Sequence, residues 1–256
     1  MAVPSLHAVV RDLCRSFPEA EEVSSHGSPE YRVRNKPFAS LSINHHGDGR
    51  VALLLAASLE TQAAHLELDP ERFFVPAYVG HRGWYGIDLE RGLPWKRIGE
   101  LTRDAYAHVA PRALARDASA PARVPKPDTV DLRKLDPLFF PKNQAKLARL
   151  RKLCLTLPET SEGTSFGSPV FKAGKKTFCS FNCHGGKPGA LFWVGATGQA
   201  MLTADSRFEI PAYMGHNGWI RLRLDGRFDL EEVRTLAIAS YRHFALRRML
   251  KALDEA

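Results

Sequence analysis

Apolar residues recur at helical intervals near the start of the chain, at Leu6, Val9, Val10, Leu13 and Phe17, and Pro18 stops the pattern. The same spacing returns at Leu147, Leu150, Cys154 and Leu157, stopped by Pro158. Short alternating or β-rich runs follow each helix, over 30–34, 37–44 and 51–56 and again over 170–173, 177–183 and 190–194. Turn residues separate them, notably Arg34-Asn35-Lys36, His46-Gly47-Asp48-Gly49, Gly174-Lys175 and Gly185-Gly186-Lys187, so the runs predict hairpins. A short helix is predicted over 58–66 and 196–203, and a further strand begins near Trp84 and Trp219. Amphipathic helices over 94–109 and 230–251 close the two series. The order predicted in each half is α-βββ-α-β(β)-α, an α+β class in which helices pack on an antiparallel sheet.

The two halves are also alike residue by residue. Phe73 and Val75-Pro76-Ala77-Tyr78-Val79-Gly80-His81-Arg82-Gly83-Trp84 reappear as Phe208 and Ile210-Pro211-Ala212-Tyr213-Met214-Gly215-His216-Asn217-Gly218-Trp219. Leu13-Cys14, Pro18-Glu19 and Gly27-Ser28-Pro29 match Leu153-Cys154, Pro158-Glu159 and Gly167-Ser168-Pro169. Tyr106 and His108 match Tyr241 and His243. Agreement in order and spacing over so long a stretch marks a tandem duplication. The expected division is a first module over 1–115, a linker over 116–141 and a second module over 142–256. The linker's Ala-Ser-Ala-Pro-Ala-Arg-Val-Pro-Lys-Pro run at 118–127 favours extended backbone, and Leu138, Phe139 and Phe140 give its end something to dock.

Composition is ordinary for a globular chain, at 44% hydrophobic and 25% charged residues. No apolar run is long enough to span a bilayer, and Arg11, Asp12 and Arg15 interrupt the first helix where a signal peptide would be apolar. Four scattered cysteines do not make a secreted disulfide scaffold, and the expected home is a reducing cytoplasm. The net charge of +8 is uneven: residues 1–110 carry −2, residues 111–142 carry +3 and residues 143–256 carry +7. Such an imbalance fits a phosphate-rich partner of the second half, though charge alone speaks to non-specific binding.

Residues Leu13-Cys14 with Phe17-Pro18-Glu19, and Leu153-Cys154 with Leu157-Pro158-Glu159, resemble the MmcQ/YjbR family. So do Gly167-Ser168-Pro169-Val170-Phe171-Lys172, Gly174-Lys175, and the segment from Pro211-Ala212-Tyr213 to Gly218-Trp219. The resemblance implies a small α+β module with a double-wing arrangement suggestive of DNA binding. It implies no catalytic residue, and a tandem pair departs from the single module usual in the family.

A first candidate site is a basic surface on the second module. Lys172, Lys175 and Lys176 flank one predicted hairpin tip and Lys187 sits on the next, while Arg221 and Arg223 alternate with Ile220, Leu222 and Leu224. Alternation puts both arginines on one strand face, where they would meet phosphates in a salt-dependent, sequence-independent way. The plainer reading is a set of solvated hairpin tips. A second candidate is the repeated Pro-Ala-Tyr-x-Gly-His-x-Gly-Trp, in which Tyr78, His81 and Trp84, and Tyr213, His216 and Trp219, would line a groove for a small molecule or peptide. Its plainer reading assigns the tyrosines and tryptophans to the core and the glycines to a tight turn. Cys179, Cys183 and His184 lie close enough to suggest a metal, but strand geometry turns His184 away and no second Cys-x-x-Cys completes a site. The run Arg242, Arg247, Arg248 and Lys251 is either a basic amphipathic surface or the ordinary cationic end of a last helix. Together these features predict a non-catalytic protein with no metal, cofactor or membrane contact. Its expected partner is DNA or another polyanion, and the alternative is a small molecule or peptide.

Overall fold

Helix α1 (Leu6–Arg15) starts at Ser5, whose side chain accepts the Ala8 N–H, and buries Leu6, Val9, Val10, Leu13 and Cys14. The computed structural model describes residues 3–25, 27–226 and 229–255. It divides into two units, 1–135 and 136–256, each with its own apolar core.

In the first unit α1 leads into strands β1 (Ala20–Ser25), β2 (Ser28–Val33), β3 (Lys36–Ile43) and β4 (Val51–Leu55). Helix α2 (Leu59–Leu68), strands β5 (Phe73–Phe74) and β6 (Tyr85–Asp88), and helix α3 (Trp95–Val109) follow. The sheet order is β1-β2-β3-β4-β6-β5, and every pairing is antiparallel. Helices α1 and α3 pack against the sheet. Tyr106 of α3 stacks on Phe17 at 5.0 Å, meets Phe38 edge-on at 5.4 Å, and donates its hydroxyl to the Pro18 carbonyl at 2.7 Å. Burying these rings is the main force holding helix to sheet.

Short helices α4 (Arg112–Asp117) and α5 (Leu132–Leu135) end this unit, and α6 (Pro141–Cys154) opens the second. The second unit repeats the plan with β7 (Thr160–Ser165), β8 (Ser168–Ala173), β9 (Lys176–His184), β10 (Lys187–Trp193), α7 (Gly195–Leu202), β11 (Phe208–Glu209), β12 (Trp219–Arg223) and α8 (Leu230–Phe244). Its order β11-β12-β10-β9-β8-β7 is the same series of pairings. Even the bulge recurs, between Tyr31 and Arg32 and between Phe171 and Lys172. Tyr241 donates to the Pro158 carbonyl at 2.8 Å, as Tyr106 does to Pro18.

Three features depart from the sequence reading. Each sheet gains an outer strand, β1 or β7, whose Ala-Glu-Glu-Val-Ser-Ser and Thr-Ser-Glu-Gly-Thr-Ser sequences carry no apolar alternation. Both are edge strands with little to bury, so backbone pairing to β2 or β8 defines them. The predicted helix over 230–251 breaks at Ala245, whose ψ of 148° is extended, and resumes as α9 (Arg247–Asp254). Ala110 breaks α3 in the same way with ψ 151°, ahead of Pro111. Much of the expected linker is packed rather than free: Ala118, Val124, Val130, Leu132 and Leu135 lie against the first core, and Asp128 N–H reaches the Pro4 carbonyl at 2.9 Å. Leu138 packs on the second core.

Candidate functional site

The repeated segment is built identically in the two units. After β5, Gly80 N–H bonds to the Pro76 carbonyl at 3.0 Å and Val79 N–H to the Ala77 carbonyl at 2.8 Å. The second bond closes a three-residue turn around Tyr78, whose φ is +65°, the rare and strained form of a γ-turn. Gly215 and Met214 make the same bonds at 2.9 and 2.8 Å, and Tyr213 also has φ +65°. A bulky side chain in left-handed backbone costs about 1–2 kcal/mol. The two tyrosines are 65% and 83% exposed, so burial does not offset that strain.

A glutamine, buried in the first unit and half-buried in the second, holds the turn in place. Gln62 Nε2 donates to the Gly80 and Trp84 carbonyls, and Gln199 Nε2 donates to those of Gly215 and Trp219, both at 2.7 Å. Val75 sits over Gly80 and Ile210 over Gly215, where a Cβ would lie 2.3 Å from the covering methyl. Gly83 and Gly218, at φ +92° and +84°, press the segment's end onto the backbone after β4 and β10. Sequence reasoning missed the glutamines, although their matching places in the two copies were there to be read.

Within this frame the candidate residues separate. Trp84 and Trp219 are buried core groups, while Tyr78, His81, Tyr213 and His216 are exposed. The expectation that these residues line a groove is not met by two clefts found in the first unit, of about 600 and 360 Å³, which other residues line. Tyr78 and Tyr213 are instead exposed on their γ-turns. In the first unit Tyr78 meets the imidazoles of His45 and His46, at 6.0 and 5.4 Å between centroids.

The basic surface is not assembled as the sequence suggested. Arg221 is only 4% exposed: its guanidinium binds Glu209 at 2.7 Å, the Lys187 carbonyl at 2.6 Å and Asn182 at 3.1 Å, and lies across Gly189. Alternation assigned the face correctly but could not show that this face is covered. Arg223 pairs with Asp225 at 2.6 Å, which raises the arginine's pKa and lowers the carboxylate's. Lys175, Lys176 and Lys187 are exposed and Lys172 is half-buried. Successive turns of a meander lie at opposite ends of the strand between them. Nine-residue β9 therefore separates the Lys175-Lys176 turn from Lys187 by about 26 Å. The cations do not converge on one patch.

The remaining clusters are also accounted for. Cys179 is buried beside Cys154 and burial pushes its thiol pKa up; Cys183 is half-buried and pushed up to about 11, again chiefly by burial. His184 is exposed. Arg242 pairs with Asp254, Arg248 with Glu159 and Lys251 with Glu255, so most of the C-terminal run is engaged in ion pairs. Among the described residues no helix is long and apolar enough to cross a membrane.

No curated protein matches the chain. A crystal structure of the Deinococcus radiodurans protein DR2400, which carries a DUF419 domain, is 18% identical to it, over 45% of this chain and 88% of that one, with a TM-score of 0.37. The YjbR family model matches twice, over residues 15–108 and 155–243, once in each unit and across well over half of the sequence. Two matches in order, on two sheets of the same strand order, establish that the chain belongs to the YjbR family and carries its module as a tandem duplication.

Proposed function

We propose that the chain is a non-catalytic binding protein that engages single-stranded nucleic acid through the Tyr78 and Tyr213 loops. Bases would stack on the exposed rings, and phosphates would meet dispersed cations such as Lys175, Lys176 and Lys187. The observation that carries this reading is the strained, glutamine-braced turn that holds a tyrosine in solvent at the same place in both units. A fold has no use of its own for an exposed ring on costly backbone, whereas a stacking platform does. The positive balance of the second half supplies the attraction to phosphate. Burial of Arg221 and the scatter of the lysines argue against a concentrated duplex-binding face, and so shift the expected contact from the arginine strand to the loops.

Fluorescence anisotropy with a labelled oligothymidylate tests the reading. Tyr78→Ala and Tyr213→Ala should each weaken binding by about 5- to 150-fold, the cost of about 1–3 kcal/mol for one stacked base. Neutralising Lys175, Lys176 and Lys187 together should flatten the salt dependence, by about 0.7 in slope for each phosphate that no longer meets a cation. Absence of binding at low salt, or a double tyrosine variant that binds like the parent, would overturn it.

A further inference from the structure

Ala56 and Trp193 stand at equivalent positions. Leu55 pairs with Tyr85 and Phe192 with Ile220, so each residue immediately follows a matched strand pair. In the second unit the indole of Trp193 lies flat on His243, with ring centroids 3.4 Å apart and planes within 9°, while its Nε1 donates to the Asn217 carbonyl at 3.0 Å. Its ring edge also faces Gly195, where a Cβ would lie 3.4 Å away.

The first unit keeps the counterpart of His243, namely His108, but has only a methyl group in place of the indole. A cleft of about 360 Å³ results, within the range of small-molecule sites. Ser58, Thr61, His65, Tyr85, Asp104 and His108 line it together with Ala56. One wall is aromatic: His65 stacks on Phe73 at 4.8 Å and leans against Tyr85 at 4.6 Å with the ring planes tilted by 44°. The rim carries hydroxyl and imidazole groups, and the Asp104 carboxylate there is paired with Arg103 at 2.9 Å. The cleft therefore offers aromatic ring faces with polar edges, and its carboxylate is compensated.

We propose that the first unit binds an uncharged, planar, fused-ring heteroaromatic molecule in this cleft, its ring lying on His108 as Trp193 lies on His243. The second unit carries its own side chain in the corresponding place, so the site is single. Indole and adenine, titrated separately into the full chain by calorimetry and ligand-observed NMR, test this. One of them should bind at one site per chain with a Kd of about millimolar or tighter. Preference for adenine would assign recognition to the polar rim, and preference for indole to the aromatic wall. Ala56→Trp should weaken binding at least about tenfold by reproducing the second unit's arrangement, and Trp193→Ala should raise the stoichiometry from one to two. Failure of both rings to bind saturably, or an affinity indifferent to Ala56→Trp, overturns the proposal. Should Ala56→Trp fail to fold, the wild-type chain decides: saturable ligand-induced shifts of the His108 imidazole resonances support the site, and unmoved resonances refute it.

Discussion

Arg221 is the residue for which sequence and structure give opposite roles, and its truncation separates them. Arg221→Ala removes three hydrogen bonds, to Glu209, Asn182 and the Lys187 carbonyl, and uncovers Gly189. Losing one partner of a buried ion pair costs about 3–5 kcal/mol when the other stays buried. Glu209 is 43% exposed and can turn to water, which lowers the cost, while the Lys187 carbonyl and the Asn182 amide oxygen are left short of a donor. The expected loss is about 3 kcal/mol. Arg221→Met still covers Gly189 but leaves the same acceptors without a donor, so it should cost about 2 kcal/mol, and the more exposed Arg223→Ala should cost clearly less than either. Urea unfolding followed by tryptophan fluorescence in a Trp84→Phe/Trp95→Phe background reports Trp193 and Trp219 of the second unit alone. There Arg221→Ala should lower the midpoint by about 1–3 M. A variant of unchanged stability that loses nucleic-acid affinity and salt dependence would show that Arg221 serves phosphate and not the fold.

Gln62→Ala leaves the Gly80 and Trp84 carbonyls without their donor and should cost about 1–3 kcal/mol. Amide exchange over 76–84 should accelerate, and exchange at the parent rate would refute the brace. Burial, assisted by Arg97 and opposed by Asp104, lowers the pKa of His65, so the unfolded chain takes up the proton first as pH falls. Stability from this group is therefore complete above about pH 6.5 and declines as pH falls toward the folded-state value, and His65→Leu should abolish that slope in a pH series of denaturant midpoints. Gly86→Arg alone would place a Cβ 2.3 Å from the Phe74 ring and should destabilise the first unit by more than about 2 kcal/mol. Adding Phe74→Glu and Ala52→Gly, the second unit's residues at those places, should recover most of the loss; simple additivity in the triple variant would count against the equivalence.

The duplication, the fold class and the order of the main elements were legible because helical and alternating periodicities survive in both copies. Strands β1 and β7 were not legible, since an edge strand whose side chains face water needs only its partner's backbone. The fate of Arg221 was hidden for a related reason. Alternation places a residue on a face, but whether that face is wet depends on neighbours from β9, β10 and β11, which only the assembled sheet brings together. The tyrosines show the reverse error: their spacing suits a core position, and the outward aim comes from a backbone turn that the local sequence does not advertise. The lysine tips failed on topology, because adjacent hairpin turns in sequence are a strand's length apart in space.

The two copies divide into what they share and what each has changed. On one sheet face the first unit lays Arg50 over Phe74, at 4.4 Å, and Phe74 over Gly86. The second fills the same strand positions with Arg221 beside Glu209 and over Gly189. Both arrangements cover the sheet with a guanidinium, one by cation–π contact and one by an ion pair, so packing was satisfied by different chemistry. At the other place the copies truly differ, since Trp193 occupies what Ala56 leaves open. The strained tyrosine turn stands apart from both: its φ, its hydrogen bonds and its glutamine are the same in each unit, yet the exposed ring contributes little to either core. Packing tolerates substitution elsewhere in these sheets, so the sameness of a feature that packing does not require points to a contact both units make. The cleft over His108 has no such counterpart, and the ligand proposed for it would be bound by the first unit alone.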